Sequence, residues 1–369
     1  MNNKRARKKI CFLIPSVSAG GIETYLLRFL KYFGADEHVT VIVRGQTDGK
    51  LRLKYEATGV RLLFKPLGYV NPRKMIHYYL FFKQESFDVV CDFNGNFAGL
   101  PMLIARLVGV PRRVAFYRQG SDHFKSGIFR NTINRIMNRL VYNHSTTILS
   151  NSMAAFEFFF PDRSKNDQRF NVIYNGVNQE EFRINSTKTE IRNKLNLPAD
   201  KFIIGHVGRL DTSKNHSVIL ETAEIVTQRM DDVHFVLCGE DTEKLSNEIK
   251  KKGLEQHFTL LGYQDDIPEL LHSFDLFFFP SVTEGQPNAL IEAMFTDLPI
   301  MASDIPPIKE CVPTIAYRQL GDPHDPQMFA DILKEIRENN SHKDGCMARW
   351  AREKFNSEQN FKDFKNVLI

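Results

Sequence analysis

The segment Pro280 to Glu292 holds the densest set of residues able to do chemistry. It follows an apolar run that reads as a buried strand, and its second half reads as the start of a helix. Pro287 suits the first helical position, where its missing N–H would be unpaired anyway. Gly285 lets backbone approach a ligand closely. The amides of Asn288, Ala289 and Leu290 would stand free at a helix N-terminus, where aligned peptide dipoles favour a phosphate. Glu284 lies in the loop and Glu292 in the second turn, several ångströms apart at ~1.5 Å per helical residue. One carboxylate could accept from a ribose diol and the other from a second sugar ring. Glu292 also reads as an ordinary helix-start acid favoured by the macrodipole.

A second segment, Gly208-Arg209-Leu210-Asp211-Thr212-Ser213-Lys214, also follows a strand. A guanidinium meets phosphate bidentately, and a lysine adds a compact point charge. A diphosphate between Arg209, Lys214 and the helix start at Asn288 would be held from three sides. As isolated residues the two are ordinary solvated charges, and it is their place after a strand that points to a ligand. Gly20-Gly21, after the first strand, is a weaker signal. It lacks a full G-x-G-x-x-G fingerprint and reads equally as a tight turn.

These segments need a frame that ends strands in loops. Apolar strands at 9–14, 39–43, 60–64, 87–93, 113–117, 146–150 and 170–174 alternate with helices; Ile22, Tyr25, Leu26, Phe29, Leu30 and Phe33 trace one helical face. Asn175-Gly176-Val177 closes this series, and a polar stretch runs to Asp200. The alternation then restarts, with strands at 202–207, 233–238, 258–261, 276–279 and 299–302. Short continuous apolar strands between helices predict parallel sheets covered on both faces. The expected fold is α/β, two doubly wound Rossmann-like domains facing across a cleft. Their bounds are 1–180 and 181–354, with a tail at 355–369 that carries Phe361, Phe364 and Leu368 back toward the first domain. Ligands of such sheets bind outside the carboxyl ends of the strands.

At 369 residues with 42% hydrophobic and 25% charged, the chain can bury two full cores and is not a disordered or collagenous sequence. No apolar run approaches the ~20 residues of a membrane span. The five cysteines are scattered without a CxxC pair, which argues against a disulfide scaffold or a structural zinc site and for reduced thiols. The basic N-terminus before Ile10 reads as the lead into a strand and a glycine turn rather than a signal peptide.

Charge is uneven. Residues 1–185 carry 28 Lys and Arg against 14 Asp and Glu, whereas the remainder carries 21 against 30. A basic half faces nucleic acid, anionic lipid or a phosphorylated substrate, and no nucleic-acid motif accompanies it. Ile128, Phe129, Ile133, Ile136, Met137, Leu140 and Val141 fall on a helical face flanked by Lys125, Arg130, Arg135 and Arg139. A basic amphipathic helix of this kind can lie on an anionic membrane, or can pack its apolar face into the core.

The motifs Glu284-Gly285-x-Pro287-Asn288-x-x-x-Glu292, Gly208-Arg209-x-x-x-x-Lys214-Asn215 and Asn175-Gly176-Val177, with Gly20-Gly21 ahead of them, occur in one order along the chain. Together they resemble the retaining glycosyltransferases of family 4 (glycosyl transferases group 1), which have the GT-B fold. The resemblance implies that Glu292 binds the nucleotide ribose and Glu284 the transferred sugar. It implies that Arg209 and Lys214 neutralise the leaving diphosphate in place of a metal ion, so neither metal nor further cofactor is expected. Backbone at Gly285, Gln286, Pro287, Asn288 and Ala289 would touch sugar and phosphate. Gly262 and Tyr263 would sit at the nucleobase, and Gly21 would admit phosphate or acceptor to the first helix.

The chain departs from the family where a histidine usually follows the fifth N-terminal strand: Arg118 and His123 are the candidates there. Asp297 stands in a usual glycine position, and Cys238-Gly239-Glu240 replaces a glycine-rich turn. The expected activity is transfer of a sugar, UDP-sugar favoured, to a glycan or lipid-linked acceptor in surface polysaccharide or lipopolysaccharide synthesis. The expected place is the cytoplasm, peripheral on the inner face of the cell membrane. The rival readings are a nucleotide-sugar epimerase and a non-catalytic sugar-nucleotide-binding protein.

Overall fold

The computed structural model describes residues 7–18, 20–33, 37–45, 48–67, 71–120, 128–339 and 345–369; the side chains of 128–131 and 339 fall outside that description. The chain divides into two units, Met1–Gly176 with Ser357–Ile369, and Val177–Asn356.

Unit 1 carries seven strands: β1 (Lys9–Ile14), β2 (His38–Val43), β3 (Arg61–Phe64), β4 (Val89–Asp92), β5 (Arg112–Tyr117), β6 (Thr147–Ser150) and β7 (Phe170–Val172). They form one sheet in the order β3-β2-β1-β4-β5-β6-β7, every pair parallel. Alternate residues of β1 feed opposite faces. Ile10, Phe12 and Ile14 join one core with the Gly21–Phe33 helix, while Cys11 and Leu13 join another with the Pro72–Glu85 and Gly99–Val108 helices. Burial on both faces is why these strands read as unbroken apolar runs.

Unit 2 repeats the plan with β8 (Phe202–Val207), β9 (Val233–Cys238), β10 (Phe258–Gly262), β11 (Leu276–Phe279), β12 (Ile300–Ser303) and β13 (Leu320–Gly321), ordered β10-β9-β8-β11-β12-β13 and again parallel. The winding reverses between β1 and β4 in unit 1 and between β8 and β11 in unit 2, which makes those positions the switch points where such sheets take ligands.

Several expected elements differ. The strand expected at 87–93 is trimmed to β4, and β13 is an addition. The polar stretch before Asp200 contains the Lys188–Lys194 helix, started by a capping box in which Thr187 and Glu190 serve each other's backbone N–H groups. The tail is the helix Ser357–Leu368. It inserts Phe361 and Phe364 into the unit 1 core, with the Phe364 ring 4.5 Å from Phe29 and 5.4 Å from Phe116. After β9 a 3₁₀ turn, Thr242–Leu245, leads into a short α-helix, Ser246–Lys251. The Gly99–Val108 helix likewise is preceded by a 3₁₀ turn, Gly95–Ala98.

Candidate active site

In unit 2 the loops at the carboxyl ends of β8, β9, β10 and β11 hold one another. The Gly208 amide donates to the Cys238 carbonyl at 2.8 Å, and the Leu210 amide to the Glu240 carbonyl at 2.8 Å. The Gly239 amide donates to the Gly262 carbonyl at 2.7 Å. A Cβ on Gly239 would lie 2.2 Å from the Gly208 carbonyl oxygen, so the turn that stands where a glycine-rich one is usual still requires glycine here. Gly262 takes φ +61° with the Glu243 carboxylate against its Cα.

The phosphate segment after β8 is shaped by its own side chains. Asp211 accepts from the Ser213 amide and hydroxyl, which winds Thr212–Lys214 into a 3₁₀ turn. Asn215 then adopts the left-handed conformation (φ 59°), which its short polar side chain tolerates. Its Nδ2 donates to the carbonyls of Pro280 (3.0 Å) and Pro323 (2.6 Å). The Val282 amide donates to the Ser213 carbonyl at 2.9 Å. The loops after β8 and β11 are thereby laced together across the switch point. Asn215 was absent from the expected site residues; the signal for it was its place directly after Lys214.

This lacing brings two predicted residues into contact. Lys214 Nζ donates to Glu284 Oε1 at 2.5 Å, and the ammonium lies 5.1 Å from the centre of the Phe279 ring. Arg209 stands apart, with its side chain 65% exposed and its Nη2 3.9 Å from Asp211 Oδ2. Gly285, Gln286 and Pro287 are buried, while Asn288 and Ala289 are partly exposed at the start of the Asn288–Phe295 helix. Pro287 is the residue before that helix, with extended backbone (φ −79°, ψ 103°), and not its first helical residue as expected. Its ψ places it outside the helical region, so the turn begins one residue later. Glu292 is buried in the second turn. Tyr263 is 37% exposed, and its hydroxyl donates to Asp265.

Beneath Lys214 lie two histidines that the sequence reading passed over. His206 and His216 are buried and pack edge to face, 4.9 Å between ring centres. His206 Nδ1 donates to the Phe278 carbonyl at 2.9 Å. Burial drives His206 well below its ordinary pKa and His216 down to about 4, each helped by the nearby Lys214 ammonium. Both are neutral at physiological pH, so the cationic charge in this corner belongs to Lys214 and Arg209. Asp297 has a structural role: its left-handed backbone (φ 54°) follows the Asn288–Phe295 helix, and its carboxylate accepts from the amides of Gly345 and Ala348 at the start of the Cys346–Lys354 helix.

In unit 1, Gly21 opens the first helix and is exposed. Arg118 is the first residue after β5 and is buried; its Nη2 donates to Asn175 Oδ1. His123 and Lys125 lie outside the described residues, as does the side chain of Arg130. Arg135 and Arg139 are exposed on the Ile128–His144 helix, whose Met137 and Val141 are buried. Among the described residues no group of three or more His, Cys, Asp or Glu is placed to hold a metal ion.

Two doubly wound parallel units, the second with cations, carboxylates and a helix start gathered at its switch point, define a GT-B nucleotide-sugar enzyme. The family model for Glycosyltransferase Family 4 matches residues 19–181, and that for Glycosyl transferases group 1 matches 187–353. The putative glycosyltransferase EpsF of Bacillus subtilis is 26% identical over 311 residues, covering 81% of this chain and 80% of its own. An Escherichia coli UDP-Gal:α-D-GlcNAc-diphosphoundecaprenol α-1,3-galactosyltransferase is 29% identical over 249 residues, 63% of this chain and 62% of its own. HepE of Anabaena, solved with UDP, superimposes with a TM-score of 0.82 at 21% identity, covering 98% of this chain and 99% of its own. The chain belongs to the family 4 type of glycosyltransferases, with the GT-B fold. These matches favour sugar transfer over the epimerase and non-catalytic readings.

Proposed function

We propose that the chain transfers a sugar, with retention of anomeric configuration and without a metal ion, from a UDP-sugar to a lipid-diphosphate-linked or polysaccharide acceptor. The observation that carries this reading is the laced pair of loops that sets Lys214 against Glu284 at the β8/β11 switch point, ahead of the Asn288 helix start. Glycosyl transfer leaves a diphosphate whose charge grows as the anomeric bond breaks, and fixed cations stabilise that charge best in a water-poor site. Lys214 and the more exposed Arg209 supply those cations. The Lys214–Glu284 pair keeps both groups in place before the donor arrives. When a diphosphate takes over the ammonium, the Glu284 carboxylate is released to accept from a sugar hydroxyl, while Glu292 takes the ribose.

The choice of UDP is supported by HepE, and that of a lipid-diphosphate acceptor by the galactosyltransferase relative. A cytoplasmic enzyme docked on the inner membrane face is supported by the outward stripe of Arg135, Ile136, Arg139 and Tyr142 and by the basic first half. No described helix is long and apolar enough to cross a membrane. The test is a panel of UDP-sugars scored for a rise in Tm and for UDP release with and without a chelator. A UDP-sugar should raise Tm, because a ligand specific to the folded state stabilises it. Activity abolished by the chelator and restored by a divalent ion would refute the metal-independent step.

A further inference from the structure

Arg118 is 9% exposed, and its Nε and Nη1 have no hydrogen-bond partner. Its guanidinium carbon lies 3.7 Å from the centre of the Tyr25 ring and 5.2 Å from that of Phe116. Stacking fixes the plane of a guanidinium but gives its N–H groups no acceptor. Nη2 is engaged by Asn175. The Glu23 carboxylate acts on this charge through space but is held by the Ser16 hydroxyl. Burial pulls the arginine down to about 10, which leaves it a cation at neutral pH. The Tyr25 ring stacked beneath it carries a buried hydroxyl that is also without a hydrogen-bond partner, and the neighbouring strand end, held by the Asn151 amide donating to the Tyr117 carbonyl, leaves Asn151 Oδ1 unpartnered as well. A buried cation with N–H groups to spare is costly unless an anion completes it. The position, at the carboxyl end of a central parallel strand, is where such sheets take ligands.

We propose that Arg118 is the seat of an oxyanion site in unit 1 that receives a phosphate or carboxylate group of the acceptor. The assignment to the acceptor rests on the glycosyl-transfer reading above; the anion site rests on unit 1 alone. Arg118 supplies the charged donors and Tyr25 Oη a further one. The phosphate of a lipid diphosphate and the carboxylate of a uronic acid share this chemistry.

The test uses the full chain with Arg209→Ala/Lys214→Ala, so that anions do not report on the donor side. Inorganic pyrophosphate, glucuronate and, as neutral control, glucose are titrated at constant ionic strength while Tm is followed. One of the anions should raise Tm saturably and glucose should not; pyrophosphate would identify a lipid diphosphate, glucuronate a carboxylated sugar. Adding Arg118→Met should abolish the rise while leaving the ligand-free Tm unchanged or higher, because a lone buried charge has been removed. Arg118→Lys, which keeps the charge but not the planar fork, should weaken the anion midpoint about tenfold. An anion response that survives Arg118→Met overturns the proposal. So does the absence of any anion response in a chain whose unsubstituted form UDP stabilises, and that result leaves the donor reading standing.

Discussion

In unit 2 the strand ends are joined by backbone and side-chain hydrogen bonds, so that Lys214, Glu284 and the Asn288 helix start stand in place without a ligand. In unit 1 the unmet group is a charge: Arg118 after β5 keeps two N–H groups without a partner, beside an idle Tyr25 hydroxyl from the first helix, whereas the idle buried atoms of unit 2, on His206, His216, Ser281 and Ser303, are neutral. One frame thus supports two strategies. The first builds its charges into short segments that shape themselves. The second draws residues from the first helix and from separate strands, and leaves them for a ligand to complete.

The contrast depends on the two units being independently stable bodies, and the tail helix offers the strongest way to break it. Phe364 is fully buried among Phe12, Phe29, Phe93 and Phe116 of unit 1. Phe364→Ala should cost about 3–5 kcal/mol, the usual penalty for an aromatic cavity. Calorimetry should show the loss in the unit 1 transition, with the Tm rise caused by UDP unchanged. A variant that lost both together would contradict the division at Gly176 and Ser357.

At the laced site, Lys214→Ala should lower turnover roughly 10²- to 10³-fold, the effect of removing one pre-positioned electrostatic donor. It also strands the Glu284 carboxylate. Arg209→Ala should lose less, because that guanidinium is already largely solvated in the free protein. Steady-state UDP release checks both. Near-normal turnover in Lys214→Ala would remove the diphosphate assignment, and a larger loss for Arg209→Ala would reverse the ranking.

The same contrast explains how much the sequence disclosed. The parallel sheets were legible because two-sided burial makes each strand a short apolar run. The donor-side residues were legible because Gly208 to Lys214 and Glu284 to Glu292 lie within single loops, where spacing carries the chemistry. Arg118 was legible only as a residue following a strand. Its stacking on Tyr25, 93 positions earlier, and its bond to Asn175 are products of the β1-β4-β5-β6-β7 order, which no local pattern encodes. His206 was hidden for a related reason: within an apolar strand nothing marks it as facing His216. The tail helix and the Lys188–Lys194 helix were missed differently. The Lys188–Lys194 helix is only two turns long and is marked chiefly by the Thr187–Glu190 capping box, whereas the tail's Phe361, Phe364 and Leu368 stand at helical spacing within an otherwise polar stretch.

Acidification should separate the units. His216 and His234 in unit 2 are each held down to about 4 by burial, and His206 lies well below its usual value. Their folded pKa values lie below the ~6.5 of an unfolded histidine, so the unfolded chain takes up protons first. The stability they contribute is complete above pH ~6.5 and is lost as pH falls toward 4, by roughly 3 kcal/mol for His216 at ~1.4 kcal/mol per unit. Denaturant melts between pH 7.5 and 4.5 should show the unit 2 transition falling more than that of unit 1. His216→Gln should flatten the slope; an unchanged slope would mean that His216 is not held neutral.

The smallest effect concerns the surface of unit 1. Arg135, Ile136, Arg139 and Tyr142 are exposed on one side of the Ile128–His144 helix, while Met137 and Val141 face the core. Core packing, one of the two expectations for this helix, is met by Met137 and Val141; Arg135 and Arg139 are the exposed cations that docking on an anionic membrane would use. Each basic group near an anionic bilayer contributes about 1 kcal/mol. Arg135→Gln/Arg139→Gln should therefore weaken binding to anionic vesicles by roughly thirtyfold, about 2 kcal/mol for the two charges, and leave the thermal response to UDP intact. Salt should weaken the binding of the unsubstituted protein as well, since screening confines such attraction to about 8 Å at physiological ionic strength. Equal binding to neutral and anionic vesicles would assign the contact to Ile136 and Tyr142 rather than the arginines. No binding to either would leave the basic charge of unit 1 to the acceptor, and Arg118 as its focus.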